Sequence, residues 1–330
     1  MRILIIARCH QQFPMSVSPF VLEQGESLRA LGCAVEYFAV KGNYLLAVHK
    51  LKKKIRSCKP DIVHAHYGLS AVTAELQSLV PVVATFHNGE TLNRVVNLLT
   101  SLFSLRAKHV VYVAQHIHDL VYFKARHHSI IPCGVNMDDC HVINQAAARH
   151  QLGFEDGVKY ILFGGGFDNL RKNYALLRDA VAAIEGKEWT PVEGGERCGN
   201  IVCLEMKGLS RAECVLRMNA CDLFALPSHS EGSPQALKEA MACNCPILAT
   251  DIADVRTMLG NLPGHYILRN PRKTHERWDA DQKSLDEMTE LLQKALAFQG
   301  KTNGRQRIIE MGLSNEQVAK RLIAIYQSLV

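Results

Sequence analysis

The strongest constraint on this chain is a rhythm. Short apolar runs alternate with longer amphipathic stretches almost from end to end. That pattern predicts parallel sheets covered by helices on both faces. In the first half, strands are expected at 2–7, 34–40, 61–66 and 81–86, with shorter ones at 110–113 and 130–132. Helices fall between them at 19–31, stopped by Gly32, at 45–57, ended by Pro60, and at 70–79. The rhythm breaks between Asn136 and Gly157, where small and polar residues dominate. It then resumes with strands at 159–164, 201–206, 223–226 and 246–250. The expected helices of this half are 173–184, 210–220, 255–259, 285–298 and 315–329. The second of these opens on a capping box, Ser210 with Glu213. Residues 269–283 read as a polar loop.

With 330 residues the chain has room for two domains. The expected division is 1–145 and 146–314, with the C-terminal helix 315–330 a candidate to pack back on the first domain. Two doubly wound domains facing each other would leave a cleft at the carboxyl ends of their strands, where ligands are expected. The formal charge of +6 favours anionic partners only weakly. No apolar run reaches the roughly 18 to 20 residues that span a bilayer. The first apolar run is too short for a signal peptide and reads as a core strand. Eleven cysteines, without a C-x-x-C pair, read as reduced thiols of a cytoplasmic protein. Cys243 and Cys245 are too close for a comfortable disulfide and too few for zinc.

The most informative stretch is PSHSEGSPQALKEAMACNCPILAT, residues 227–250. It reads as strand end, polar loop, helix and second strand. Ser233 is the expected N-cap and Pro234 the first helical residue. The amides of Gly232, Ser233 and Gln235 would then lie at a positive helix end, suited to an anion. Glu231 precedes the helix and Glu239 sits on it. Carboxylates beside an anion site suit a ligand carrying both hydroxyls and phosphates, as a sugar nucleotide does.

Other polar clusters also fall at expected strand ends. Ser16 and Ser18 follow strand one and could face a phosphate, or simply cap a helix. There is no G-x-G-x-x-G, so a dinucleotide fingerprint is absent. In HAHYG, His64 and His66 share one face of a strand, but no third metal ligand is placed nearby. His66 and Tyr67 are read instead as lining the cleft or bonding to its loops. TFHNGE puts His87, Asn88 and Glu90 at the next strand end, where His87 could be functional or structural. In FGGGFDNLRKN, Gly165 permits close backbone approach, and Arg171 and Lys172 could grip a diphosphate. The alternative there is a turn with two solvated cations. Lys50, Lys52, Lys53, Lys54 and Arg56 form a basic helix that is either a solvated face or a contact for anionic lipid. Asp279 and Asp281 read as capping residues.

Taken in order, HAHYG, TFHNGE, IPCGVN, FGGGFDNLRKN and the 227–250 stretch resemble the retaining glycosyltransferases of family four, the group 1 kind. The resemblance implies a GT-B fold, two Rossmann-like α/β domains facing across a cleft. It implies that Glu231 bonds the donor sugar hydroxyls, that Glu239 holds the ribose, and that Lys172 with the amides of Gly232 and Ser233 binds the diphosphate. Pro234, Arg171, Gly165, Ser16 and Ser18 complete the implied donor set. His87 would help the acceptor attack, with His66, Tyr67, Asn88 and Glu90 on the acceptor side. The donor phosphate would take the acceptor proton, so no carboxylate nucleophile of the glycosidase kind is needed. No metal and no cofactor is implied, since cations and helix amides do that work.

The implied reaction moves a sugar from a nucleotide-diphosphate donor, UDP-linked, to a saccharide or lipid-linked saccharide in cell-surface polysaccharide or glycolipid synthesis. The implied location is the cytoplasm, peripheral on the inner face of the plasma membrane, with no nucleic-acid partner. The alternative is a catalytically silent sugar-nucleotide or polysaccharide-binding subunit on the same fold. Three positions depart from the family pattern: Phe167 stands where an arginine is usual, Asn244 where glycine is common, and Ala253-Asp254 where two glycines are common. Arg171 is the candidate to replace the arginine.

Overall fold

The computed structural model of the chain describes residues 1–11, 14–269 and 282–330, with the side chains of Pro14, Glu90 and Leu92 also left undescribed. Asp279, Asp281 and most of the expected polar loop therefore lie outside the described residues, as does the side chain of Glu90. The chain divides into two compact units, Met1–Gly134 with Gly312–Val330, and Val135–Met311.

Unit 1 runs β1 (Arg2–Arg8), α1 (Pro19–Ala30), β2 (Ala34–Val40), α2 (Tyr44–Cys58), β3 (Ile62–His66), α3 (Gly68–Glu75) and β4 (Val82–Phe86). It continues through α4 (Gly89–Leu92), α5 (Arg94–Ser104), β5 (His109–Tyr112), α6 (Gln115–Leu120) and β6 (His128–Ile130). The strands form one sheet in the order β2-β1-β3-β4-β5-β6, and each pairing is parallel. β3 and β4 are buried along their whole length, as strands covered on both faces must be.

Unit 2 runs α7 (Gln145–Leu152), β7 (Lys159–Phe163), α8 (Tyr174–Glu185), β8 (Trp189–Val192), β9 (Gly195–Cys198), β10 (Ile201–Glu205) and α9 (Arg211–Ala220). Then come β11 (Leu223–Leu226), α10 (Gln235–Ala242), β12 (Ile247–Thr250), α11 (Val255–Leu259), β13 (His265–Leu268), α12 (Gln282–Ala297) and α13 (Gly304–Glu310). The sheet order is β13-β12-β11-β7-β10-β9-β8. Two of its pairings are antiparallel, β8–β9 and β9–β10, and the hairpin β8–β9 was missed by the sequence reading. The hairpin turns through Glu193 and Gly194, and Gly194 has φ +71°, a conformation that favours glycine in a two-residue turn.

The last helix, α14 (Asn315–Gln327), belongs to unit 1. Its Val318, Ala319, Leu322 and Tyr326 join Val21 and Leu28 of α1 and the strand residues Ile3, Ile5 and Val83 in one core. The observed division comes at Gly134/Val135, earlier than the expected 145/146. The reason is long-range. Arg305 of α13 donates to the carbonyls of Met137 (2.8 Å) and Cys140 (2.6 Å), and Asn219 of α9 donates to that of His141 (3.0 Å). A stretch that composition marks as linker is thus fastened into unit 2.

All eleven cysteines are free thiols, and eight of them are buried. No helix among the described residues is long and apolar enough to cross a membrane.

Candidate active site

In unit 2 the polar residues gather where β7 and β11 end, and these two strands are neighbours in the sheet. The loop after β7 is held by backbone: the Gly164 amide donates to Ala225 O (2.9 Å), and the Met206 amide to Gly165 O (3.0 Å). A Cβ at Gly165 would stand 2.9 Å from Lys172 Cγ, so glycine lets the lysine stem lie across the backbone. Phe167 stacks on Tyr174 with ring centroids 3.7 Å apart, and its amide donates to Glu205 Oε2 (3.0 Å). The position where an arginine was expected is therefore occupied by core packing.

Arg171 and Lys172 lie on a short turn that is sutured to the loop after β11. The His229 amide donates to Arg171 O (2.9 Å), and Arg171 Nη1 donates to Ser230 O (2.7 Å). Lys172 Nζ meets Glu231 Oε1 at 2.7 Å, and Arg171 Nη1 lies 3.4 Å from Glu231 Oε2. The Glu231 side chain is 9% exposed and that of Lys172 14%, so this pair is largely removed from water. Two cations thus converge on one carboxylate.

Further along, α10 is buried on nearly every side, and Glu239 projects from it to Arg211, the first residue of α9. Arg211 was not singled out from the sequence. Its partner is 28 residues away, and only the capping box of Ser210 and Glu213 marked that helix start.

One local expectation fails. Pro234, not Ser233, is the N-cap of α10. The Ser233 hydroxyl donates instead to Asp254 Oδ2 (2.8 Å) and accepts from Lys238 Nζ (3.3 Å). Burial pushes the Asp254 carboxyl up, against the opposing pull of Lys238. Asp254 stands at one of the positions where glycine was expected, and it uses that position to hold the Ser233 loop.

Unit 1 carries a different cluster, at the ends of β3 and β4. His64 and His66 stack at 4.5 Å, as their spacing on a strand requires. Both are fully buried. His66, read as lining a cleft or bonding to its loops, is buried and bonds to the loop after β4. Its Nδ1 lies 3.1 Å from His87 Nε2, so it stands behind His87 and touches Gln24 at 3.4 Å. His64 bonds to Tyr326 of α14 (2.5 Å) and to Thr85 (2.7 Å). Desolvation drives both imidazoles down, His66 to about 3 and His64 well below the ordinary range, so both are neutral near pH 7.

Phe20 and Tyr67 each lie 4.9 Å from the His87 ring, which is thereby enclosed by aromatic groups. Tyr67 adopts φ +69°, a strained conformation for a non-glycine residue, and its hydroxyl bonds to Ser18 Oγ at 3.0 Å. Ser18 thus serves Tyr67 with its side chain, while the Ser16 carbonyl accepts from the His10 amide (2.8 Å). Asn88 accepts from the Thr91 hydroxyl at 3.0 Å. Gln24, Thr85 and Tyr326 escaped the sequence reading, because each reaches the histidines from another element. Among the described residues no group of three or more His, Cys, Asp or Glu side chains is placed to hold a metal ion.

Comparison with known proteins adds to this geometry. Residues 29–139 match the family description Glycosyltransferase Family 4, and residues 158–280 match Glycosyl transferases group 1. A Bacillus subtilis (strain 168) glycosyltransferase named for teichuronic acid biosynthesis is 25% identical over 234 residues, covering 65% of this chain and 59% of that protein. The match spans about three-fifths of the length of such curated relatives (59%, 62% and 60%). Sucrose-phosphate synthase from Thermosynechococcus elongatus superposes with a TM-score of 0.76 at 16% identity, over 100% of this chain and 99% of that one. Anabaena Alr3699/HepE, solved in complex with UDP-glucose, gives 0.72 at 14% identity over 100% of both chains. These two likenesses are of fold.

Proposed function

Because the chain belongs to family four of the glycosyltransferases, the group 1 kind with a GT-B fold, we propose that it transfers a sugar from a nucleotide-diphosphate donor to a saccharide or lipid-linked saccharide acceptor. We further propose that the donor is UDP-linked, that the anomeric configuration is retained, and that no metal takes part. The observation carrying this reading is the shared carboxylate of Glu231. Lys172 and Arg171 both converge on it, and together they carry one charge more than it neutralises. A diphosphate is a better partner for two such cations than one carboxylate. When it binds, Lys172 and Arg171 turn to the phosphates, and Glu231 is released to accept hydrogen bonds from the sugar hydroxyls. Binding and activation are then one exchange of partners, which costs less than desolvating unpaired charges.

Glu239 is held in place by Arg211 through Oε1. A carboxylate has about four lone-pair sites, so the ribose hydroxyls can be taken as well. The Ser233 hydroxyl is engaged by Asp254 and Lys238, so the amides of Gly232 and Ser233 remain the loop's contribution to phosphate binding. In unit 1, His87 is the residue proposed to meet the sugar and help the acceptor attack. The donor phosphate takes the acceptor proton, and Lys172 stabilises the charge that develops on the leaving diphosphate. Support for UDP comes from Anabaena HepE, of the same fold, which was solved with UDP-glucose.

The proposed location is the inner face of the plasma membrane, with α2 facing anionic lipid through Lys50, Lys52, Lys53 and Arg56. Lys54 contributes less, since it is paired with Glu36. Calorimetric titration with UDP, GDP, ADP and NAD tests the donor class. The expected result is tight binding of UDP, together with slow hydrolysis of UDP-sugars that Glu231→Ala abolishes. A response to NAD and to no nucleoside diphosphate would overturn the reading, and nucleotide binding without any turnover would point to the silent subunit.

A further inference from the structure

Helix α5 is built inside out. Its buried residues are Asn97, Thr100, Ser101 and Ser104, whereas Val95, Leu98, Leu99 and Leu102 are 65, 46, 42 and 47% exposed. A helix on the surface of a water-soluble domain normally does the reverse. The inward side works because its polar groups are satisfied locally: Thr100 donates to Val96 O (2.7 Å), Ser101 to Asn97 O (2.6 Å), and Ser104 to Ser101 O (2.7 Å). It packs on α3, whose buried residues are mostly small, Gly68, Ser70, Ala71, Thr73 and Ala74. Asn97 also ties in the loop after α6, donating to Leu120 O (2.9 Å). That loop adds Tyr122 and Phe123, 51 and 40% exposed. Apolar surface of this kind, gathered on one helix and its neighbouring loop, marks a contact site.

The charges around it select the partner. From Thr91 to Gly134 there is one carboxylate, Asp119, against Arg94, Arg106, Lys108, Lys124 and Arg126. On the other side of α3 lies α2, which contains no carboxylate and exposes Lys50, Lys53 and Arg56. Its Leu51 and Ile55 share a core with Ala71 and Ala74 of α3, so α2 and α3 cover the same sheet face. Unit 1 as a whole carries 17 Lys and Arg against 8 Asp and Glu, whereas unit 2 carries 21 against 24. An aliphatic stripe with no hydrogen-bonding side chain, flanked by cations and by exposed Tyr and Phe, suits the boundary between headgroups and acyl chains. At eleven residues, about 16 Å long, α5 can lie in that boundary but not cross it.

We propose that the outer face of α5 inserts into the surface of an anionic bilayer, with the Tyr122–Phe123 loop beside it and the cations of α2 on the headgroups. This deepens the membrane reading given above and rests on it for the role of α2, but the insertion of α5 stands on its own observations.

The test is co-flotation of the full chain with vesicles of equal parts phosphatidylglycerol and phosphatidylcholine, and with phosphatidylcholine alone. Wild type should float with the anionic vesicles. The triple variant Leu98→Ser, Leu99→Ser, Leu102→Ser should lose that partition by roughly tenfold or more while melting and hydrolysing donor as wild type does. In a second measurement, Leu98→Trp should be quenched by brominated acyl chains. Flotation of the triple variant equal to wild type, or an unquenched tryptophan, would overturn the proposal. So would leucine-dependent dimers in lipid-free sedimentation together with no vesicle binding, which would make the face a protein interface. Normal insertion with no use of a lipid-linked acceptor would instead sink the acceptor reading and leave this one standing.

Discussion

The two units share one strand–helix rhythm, but their polar clusters handle ionisable groups differently. Unit 2 pairs carboxylates with cations, Glu231 with Lys172 between the loops after β7 and β11, and Glu239 of α10 with Arg211 of α9. Unit 1 takes titratable groups out of water and makes them neutral. Desolvation drives His64 and His66 down, and it drives Glu75 at the end of α3 up to about 7, against the pull of Arg106 and Lys108. The difference matches two tasks. In the proposed reaction, paired charges would be exchanged for those of a phosphate ligand, whereas the neutral imidazoles behind His87 would hold it without adding charge.

The largest expected effect concerns the neutral cluster. His66 is depressed from 6.5 to about 3, so the unfolded chain takes up its proton first as pH falls. Stability is therefore intact above pH 6.5 and is lost as pH drops toward 3, by on the order of 5 kcal/mol. Denaturant melts at pH 7, 5 and 4 should show this loss, and His66→Gln should flatten it. An unchanged acid slope would mean that unit 1 does not store its stability in neutral histidines.

In unit 2 the charge itself should matter most. Lys172→Ala is expected to lower donor turnover by roughly two to three orders of magnitude, with the fold intact. A variant within a few-fold of wild type at saturating donor would remove lysine from the leaving-group role. Returning to unit 1, Glu75 tests the same rule with the opposite sign. Its Oε1 has no hydrogen-bond partner among the described residues. The unfolded carboxyl ionises near 4.5 and the folded one near 7, so stability falls as pH rises across that interval. Glu75→Gln should gain about 3 kcal/mol over wild type at pH 8 and little below pH 4.5. A variant no more stable than wild type at pH 8 would contradict the burial of a neutral acid. The smallest effect belongs to Glu239→Ala, which should weaken nucleotide binding by roughly 10- to 100-fold in a calorimetric titration. Equal affinity would contradict its ribose role.

These contrasts also explain what the sequence could and could not reveal. The fold was legible because period-two and helical patterns are local, and both parallel sheets follow from them. The β8–β9 hairpin was missed because its strands are four residues each, β8 carries a proline that argues against a strand, and β9 is polar at Glu196 and Arg197. In unit 2, Lys172 and Glu231 could be singled out because charges stand out at strand ends. The cap of α10 was misassigned because Asp254, 21 residues away, takes the Ser233 hydroxyl. In unit 1 the partners of the histidines were invisible: Tyr326 reaches His64 across 262 residues of chain. Helix α5, which no expected element covered, has its inward side set by the same long-range packing. Its periodicity is clear, but nothing in the sequence says which side faces the core.

The account's central claim is that Glu231 and a diphosphate compete for Lys172 and Arg171. Titration of UDP into wild type and Glu231→Gln, with donor hydrolysis measured on the same preparations, tests it directly. The account predicts that Glu231→Gln binds UDP at least as tightly as wild type, because the competing carboxylate is gone, while hydrolysis falls by roughly a hundredfold. Loss of UDP affinity in Glu231→Gln, or undiminished hydrolysis, would contradict it.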